Sequence, residues 1–260
     1  MTPPPHPIRL GILLPSSNTT LEPQITSLLH TINTHLPHTH PQITPHFSRI
    51  RVTQISLSRS ASSQFDLRTM LSAASLLADA RVDAISWGGT SAGWLGLESD
   101  IELCEAIESE FHIPASTSTL ALVEILHRLG DPGVGLVTPY VSEMNEAIRG
   151  TFGGVGISIA AGDRWLGITD NIEIGEVSGE QVGGMCDGVL GAREELKVAM
   201  VYCTNLSAAH LASGLESKYQ DRDVVVLDSV SAVVWGLLRK VGVDIKGTGV
   251  AKQWGKMFDV

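Results

Sequence analysis

The chain repeats itself, and the repeat constrains its fold more than any other feature. Gly11-Ile12-Leu13-Leu14-Pro15-Ser16-Ser17-Asn18-Thr19-Thr20-Leu21-Glu22 lies over Gly135-Leu136-Val137-Thr138-Pro139-Tyr140-Val141-Ser142-Glu143-Met144-Asn145-Glu146, with Gly, Pro and Glu coinciding at one constant offset. A second pair of segments, 83–91 and 198–205, aligns Gly89 with Cys203 at an offset shorter by an amount that one loop absorbs. Each segment of that pair reads as a short apolar strand opening into a turn of small and hydroxyl-bearing residues. Two related halves follow from these repeats. Gly89 carries no proton and Cys203 does, so a site built between the halves is chemically one-sided.

Strand-like runs recur at 8–14, 47–52, 82–87, 134–137, 155–160, 198–202 and 224–227, and helical patterns at 19–34, 65–80, 101–111, 120–129, 207–216 and 229–240. Alternation of this kind predicts an α/β fold with parallel sheets covered by helices on both faces. Runs that are apolar on both sides, such as Ala199-Met200-Val201-Tyr202, fit strands buried on both faces. The expected halves are residues 8–120 and 121–228, with a C-terminal helix at 229–241 packing back on the first. In open parallel sheets, ligands gather beyond the carboxyl ends of the strands. Four loops emerge there: Pro15 to Asn18, Gly88 to Ser91, Pro139-Tyr140 and Cys203 to Asn205.

Composition narrows the function. A net charge of −10 and a pI near 5.3, with no Lys/Arg stripe, argue against a nucleic-acid or anionic-membrane surface and favour a small-molecule role. The apolar runs are too short to span a bilayer and the N-terminus has no charged-then-apolar pattern, so a cytoplasmic protein is expected. Cys104, Cys186 and Cys203 are too few and too scattered for a disulfide framework or a zinc site, and free thiols are expected. Six of nine histidines precede residue 47, among them His35, His38 and His40; without nearby cysteines or a carboxylate cluster they read as a solvated helix end and loop rather than as metal ligands.

Within the four loops, Cys203 stands before an expected helix start with Thr204 or Asn205 as its cap. Free N–H groups and the helix dipole at such a place would lower the thiol pKa toward neutrality, fitting Cys203 to act as acid, base or nucleophile. Gly88-Gly89-Thr90-Ser91 combines close backbone approach, N–H groups and two hydroxyls, a combination that grips a carboxylate or an enolate oxygen and also makes an ordinary tight turn. Asn18 and Tyr140 each add one donor, or cap and turn. Arg49 and Arg51 share one face of their strand-like run, where one can meet a substrate carboxylate or both can stay solvated. His210, two helical turns beyond Cys203, reads as a helix-face residue that can tune the thiol only if the helix is short. Phe65, Trp87 and Trp94 offer an apolar wall or simply core.

Leu14 to Glu22, Thr138 to Ala147, Asp170-Asn171-Ile172-Glu173 and Cys203-Thr204-Asn205 closely resemble the maleate cis–trans isomerase and arylmalonate decarboxylase branch of the aspartate/glutamate racemase superfamily. The resemblance covers nearly the whole chain. It implies two pseudosymmetric flavodoxin-like domains with the active site in the cleft between them, no metal and no organic cofactor, and a small dicarboxylate as substrate. It also assigns substrate contacts to Pro15, Ser17, Asn18, Gly89, Thr90, Ser91, Tyr140, Asn171, Thr204 and Asn205, and the catalytic role to Cys203. A homo-oligomer is compatible with it, closed dimers being the commonest assembly.

Members that racemise place a cysteine on each side of the substrate, as an acid and a base on opposite faces require. Here Gly89 occupies the first of those positions. Gly89-Thr90-Ser91 with a single Cys203 is similar to the decarboxylase pattern, in which Thr90, Ser91, Tyr140 and the N–H groups of Ser91, Cys203 and Thr204 hold one carboxylate while the other leaves as carbon dioxide and Cys203 protonates the carbanion. Pro15 to Thr19, Arg49-x-Arg51 and Asn171 are similar to the isomerase branch, in which the cysteine adds to a double bond and a second acid, here Tyr140 or water, assists. Decarboxylation of a substituted malonate-like diacid is the expected reaction, maleate-type isomerisation the alternative, and a non-catalytic carboxylate-binding protein the third reading.

Overall fold

The computed structural model describes residues 6–58, 63–160 and 163–260. Among these residues, eight strands, all parallel to their neighbours, form two sheets. β1 (Ile8–Pro15), β2 (Ile43–Ile50), β3 (Ala84–Trp87) and β4 (Ala115–Thr117) line up as β2-β1-β3-β4. β5 (Val134–Thr138), β6 (Arg164–Trp165), β7 (Val198–Val201) and β8 (Val225–Asp228) line up as β6-β5-β7-β8. The two orders are the same, so the repeat in the sequence is a repeat in topology. β3, β5 and β7 are buried along their whole length, as strands covered on both faces must be.

The repeated glycine has a packing reason. A Cβ on Gly135, in β5, would lie 1.9 Å from Cγ1 of Val189 on the helix Gly179–Ala192, well inside van der Waals contact. Only glycine lets that helix seat directly on the strand. The helix Ser229–Lys240, capped by Asp228 Oδ1 at 2.8 Å from the Val230 N–H, follows the last strand of the second sheet but packs on β3, β4 and the helix Ser118–Arg128 of the first. It ties the two halves together.

Three expectations about elements are corrected. The run at 155–160 is not a strand: it makes one bridge, Ile159 to Val134, and the edge is completed by β6. Gly153, Gly154 and Gly156, the last at φ +84°, keep that stretch from extending. The second strand begins at Ile43, ahead of its apolar end, and β4 is only Ala-Ser-Thr, too short and too polar to read as a strand. No helix begins at residue 206; turns carry the chain to a 3-10 segment at Ala209–Leu211, and the helix proper is Ala212–Lys218. No helix among the described residues is long and apolar enough to cross a membrane.

Replacing Gly135 by Ala should overpack this helix–strand contact and cost about 1–3 kcal/mol. Denaturant unfolding would register this as a lower midpoint at unchanged slope.

Candidate functional site

The C-terminal ends of β1 and β3 face those of β5 and β7, and a small cavity lies between them. Pro15, Asn18, Ile55, Phe65, Trp87, Gly89, Thr90, Ser91, Trp94, Tyr140, Asn171, Cys203 and Thr204 line it. Of the site residues expected from sequence, only Ser17 and Asn205 stand behind the lining rather than in it. The cavity measures about 20 Å³, room for a single water. A dicarboxylate is far larger, so binding one must displace lining side chains.

Among the described residues, no lining residue carries a formal charge, and carboxylates would meet neutral donors there. Asn18 shows how one is aimed. Its Oδ1 accepts from the N–H groups of Thr20 (3.0 Å) and Leu21 (2.9 Å), capping the helix Leu21–His35, and this turns Nδ2 toward Thr204 Oγ1 at 3.2 Å. Thr204 in turn donates to the Gly88 carbonyl at 2.9 Å. The main-chain N–H groups of Thr90, Ser91, Cys203 and Thr204 find no acceptor among the described residues, and all four residues line the cavity. Converging free N–H groups are what an oxyanion cradle needs.

The reactive group is set by burial. Thr90 Oγ1 and Tyr140 Oη are 2.8 Å apart, and Tyr140 and Cys203, which follow the neighbouring strands β5 and β7, bear on each other's ionisation. The Asn205 N–H points at Cys203 Sγ from 3.4 Å. The expectation of a thiol pKa lowered toward neutrality is overturned: burial pushes the Cys203 pKa up, outweighing the Tyr140 hydroxyl and the Asn205 and Leu206 N–H groups that pull it down. No helix dipole helps, because no helix starts there. Burial, reinforced by Cys203, likewise pushes the Tyr140 pKa well above its ordinary value. Both groups therefore hold their protons in the empty site.

Ser17 and Asn205 work from the layer behind. Ser17 donates to the Val52 carbonyl and accepts from Asn171 Nδ2 at 2.8 Å. Asn205 Oδ1 accepts from the Thr19 N–H at 3.1 Å, while its Nδ2 donates to the Asn171 carbonyl. Arg49 is a prop rather than a ligand: its guanidinium donates to the carbonyls of Ser16 (2.8 Å) and Asn18 (3.0 Å) and pairs with Glu22 at 2.6 Å. Arg51 and His210 are exposed and do not line the cavity. Cys104 and Cys186 are buried on helices away from it, with pKa values pushed up to about 12 chiefly by burial.

The apolar wall is present. Phe65 meets Trp87 and Trp94 edge to face at centroid distances of 6.2 Å, and Trp94 meets Tyr140 at 5.4 Å. Trp87 Nε1 donates to Ser91 Oγ at 3.1 Å, whereas Trp94 Nε1 is buried without an acceptor. Sequence reasoning missed Ile55, which sits in a polar stretch with no periodic signal. It also missed Tyr202, whose hydroxyl reaches across to the Thr90 carbonyl (3.2 Å) and to Thr119 Oγ1 (2.8 Å), fixing the Thr90 turn from the opposite half.

Because its folded pKa is raised, the Cys203 thiolate should appear only above the pH range in which an ordinary cysteine ionises. The far-ultraviolet thiolate absorbance of wild type minus that of Cys203→Ser should titrate late, and Tyr140→Phe, which removes a donor to the sulfur, should delay it further.

A family model for arylmalonate decarboxylase matches residues 32–254. A maleate isomerase from Nocardia farcinica is 25% identical over 251 residues, covering 94% of each chain. Three solved structures share the fold. A Pseudomonas putida S16 maleate isomerase variant with maleate superposes at TM-score 0.82, with 23% identity over 97% of each chain. A cysteine-to-serine variant of the Nocardia farcinica maleate cis–trans isomerase, with a covalently bound succinylcysteine intermediate, gives 0.80 at 23% identity over 96% of this chain and 97% of that one. A glycine-to-cysteine, cysteine-to-serine mutant of arylmalonate decarboxylase gives 0.77 at 20% identity over 96% and 98%. Two like-ordered sheets meeting at a thiol-bearing cavity, and a family match across most of the chain, lead to one conclusion: this protein belongs to the arylmalonate decarboxylase family.

Proposed function

We propose that the protein is a cofactor-independent enzyme that removes one carboxylate from a substituted malonate-like diacid, with Cys203 as proton donor. The observation that carries this reading is that the ionisable groups lining the cavity, Cys203 and Tyr140, follow the neighbouring strands β7 and β5 of the second sheet and so stand on one side of it. One carboxylate would rest on the free N–H groups of the Thr90-Ser91 and Cys203-Thr204 turns, and the other would face the wall of Phe65, Trp87 and Trp94. The electron pair of the breaking C–C bond then passes to the α-carbon and onto the retained carboxylate, and carbon dioxide leaves. The Cys203 proton moves to that carbon, the sulfur is held as thiolate by Tyr140 and the Asn205 and Leu206 N–H groups, and water returns the proton. A general acid in this role supplies about 10²- to 10⁴-fold of rate.

The curated relatives favour a second reading, cis–trans isomerisation of a maleate-type diacid, and a cysteine adduct is named for the Nocardia farcinica enzyme. In that reaction the Cys203 thiolate adds to one alkene carbon, the electron pair moves onto the other carbon and its carboxylate, the new single bond turns, and expulsion of sulfur restores the double bond. It requires the thiolate that burial here opposes, and Tyr140, which follows the strand next to that of Cys203, is not placed as an acid on the opposite face.

Incubation with a panel of 2-substituted malonates and maleate separates the two: carbon dioxide supports the first, a trans diacid the second. Cys203→Ala should lose at least about 10²-fold in kcat under either; ligand-induced stabilisation with no turnover on the panel would leave only a binding protein. Trp94→Phe should raise KM about tenfold or more with kcat little changed, because it removes a buried N–H with no protein acceptor that can bond a carboxylate.

A further inference from the structure

Successive carbonyls of the turn after β3 are each held by a side-chain hydroxyl. Thr204 Oγ1 donates to the Gly88 carbonyl at 2.9 Å, Ser118 Oγ to that of Gly89, and Tyr202 Oη to that of Thr90 at 3.2 Å. The peptides of this turn are trans, so a carbonyl and the N–H of the next residue point opposite ways from one rigid plane. A hydroxyl that fixes the Thr90 carbonyl therefore also fixes the Ser91 N–H. That N–H has no acceptor among the described residues, and Ser91 lines the cavity.

The Tyr202 hydroxyl is committed to this one bond. Its single proton goes to the Thr90 carbonyl, so the Thr119 hydroxyl, 2.8 Å away, donates to Tyr202 Oη. Hydrogen bonds then run one way, from Thr119 through Tyr202 to Thr90. Burial pushes the Tyr202 pKa up, which keeps the donor protonated. The ring is wedged in place: it meets Phe152 edge to face at 5.3 Å, and a Cβ on Gly93 would stand 2.5 Å from its Cε1.

We propose that Tyr202 is a positioning residue: by anchoring the Thr90 carbonyl it aims the Ser91 N–H at the retained carboxylate on which negative charge builds. It acts through the Thr90–Ser91 peptide and not on the substrate, for Tyr202 is outside the cavity lining. The proposal rests on the reading of the Thr90-Ser91 turn as a carboxylate cradle. It holds for decarboxylation and for isomerisation, because both move an electron pair onto a retained carboxylate.

Two variants test it. Tyr202→Phe keeps the ring and its packing and removes the hydroxyl; Thr119→Val removes the other bond of that hydroxyl and leaves the one to Thr90. Each is compared with wild type for Tm and for kcat and KM on whichever diacid of the panel wild type turns over. In amide NMR spectra, the Ser91 N–H is followed during titration with succinate, a diacid inert to both reactions. Tyr202→Phe should lower kcat about tenfold or more with KM within about twofold of wild type, since a misaimed donor fails chiefly where charge develops. Its Ser91 response to succinate should shrink. Thr119→Val should keep most of the wild-type kcat and the full Ser91 response.

Wild-type kcat in Tyr202→Phe would overturn the proposal, and so would equal losses in the two variants, which would assign the effect to packing of the buried hydroxyl pair. A Ser91 amide that ignores succinate in wild type would overturn it whatever the variants do. If wild type turns over nothing in the panel, the enzymatic reading falls, while a Ser91 response present in wild type and reduced in Tyr202→Phe still supports the aiming role.

Discussion

Each half of this protein buries polar groups that only the other half can satisfy. Asn18 meets Thr204, Asn205 holds the Thr19 and Thr20 N–H groups, Thr204 donates to Gly88, Thr90 meets Tyr140, and Tyr202 reaches the Thr90 carbonyl. A buried polar group without a partner costs about 1–3 kcal/mol, so separating the halves or shifting their register would strand many donors and acceptors together. The same bonds set the site. The turns at Asn18, Gly88 to Thr90 and Thr204 are each anchored by an atom of the other half, which holds Thr90, Ser91, Cys203 and Thr204 around one small volume.

The described residues that line that volume are all neutral. Arg49, the nearest candidate by sequence, is spent on the carbonyls of Ser16 and Asn18 and on Glu22, shaping the loop from outside. Neutral donors in a buried cavity act on an anion as fixed dipoles, and dipoles of this kind are best used on charge that develops during reaction. Burial keeps Cys203 and Tyr140 protonated for the same reason that it strengthens those dipoles.

Much of the fold was legible because repeats and strand-turn-helix periodicity are local signals. The shared Gly, Pro and Glu located β1 and β5, and the paired turns located Cys203 opposite Gly89. What escaped was whatever depends on long-range contacts. β4 is three small residues, two of them polar, whose strand character comes from pairing with β3, and the stretch after Cys203 is bent by the bonds of Asn205 and by the Gln24 Oε1 bond to the Ala209 N–H rather than coiled by its own propensity. The thiol pKa was misjudged for the same reason: the sequence shows the neighbours that stabilise a thiolate, but the degree of desolvation is a property of the assembled halves. Ile55 and Tyr202 belong to the site through the opposite half, and nothing near them in the chain says so.

A sulfur held as thiol and sealed behind aromatic rings has a chemical fate different from that of an exposed thiolate. Peroxide and disulfides are attacked by the deprotonated form, so the burial that keeps Cys203 protonated also slows its path to sulfenic acid. At 4% exposure the sulfur is also screened from such reagents by its packing.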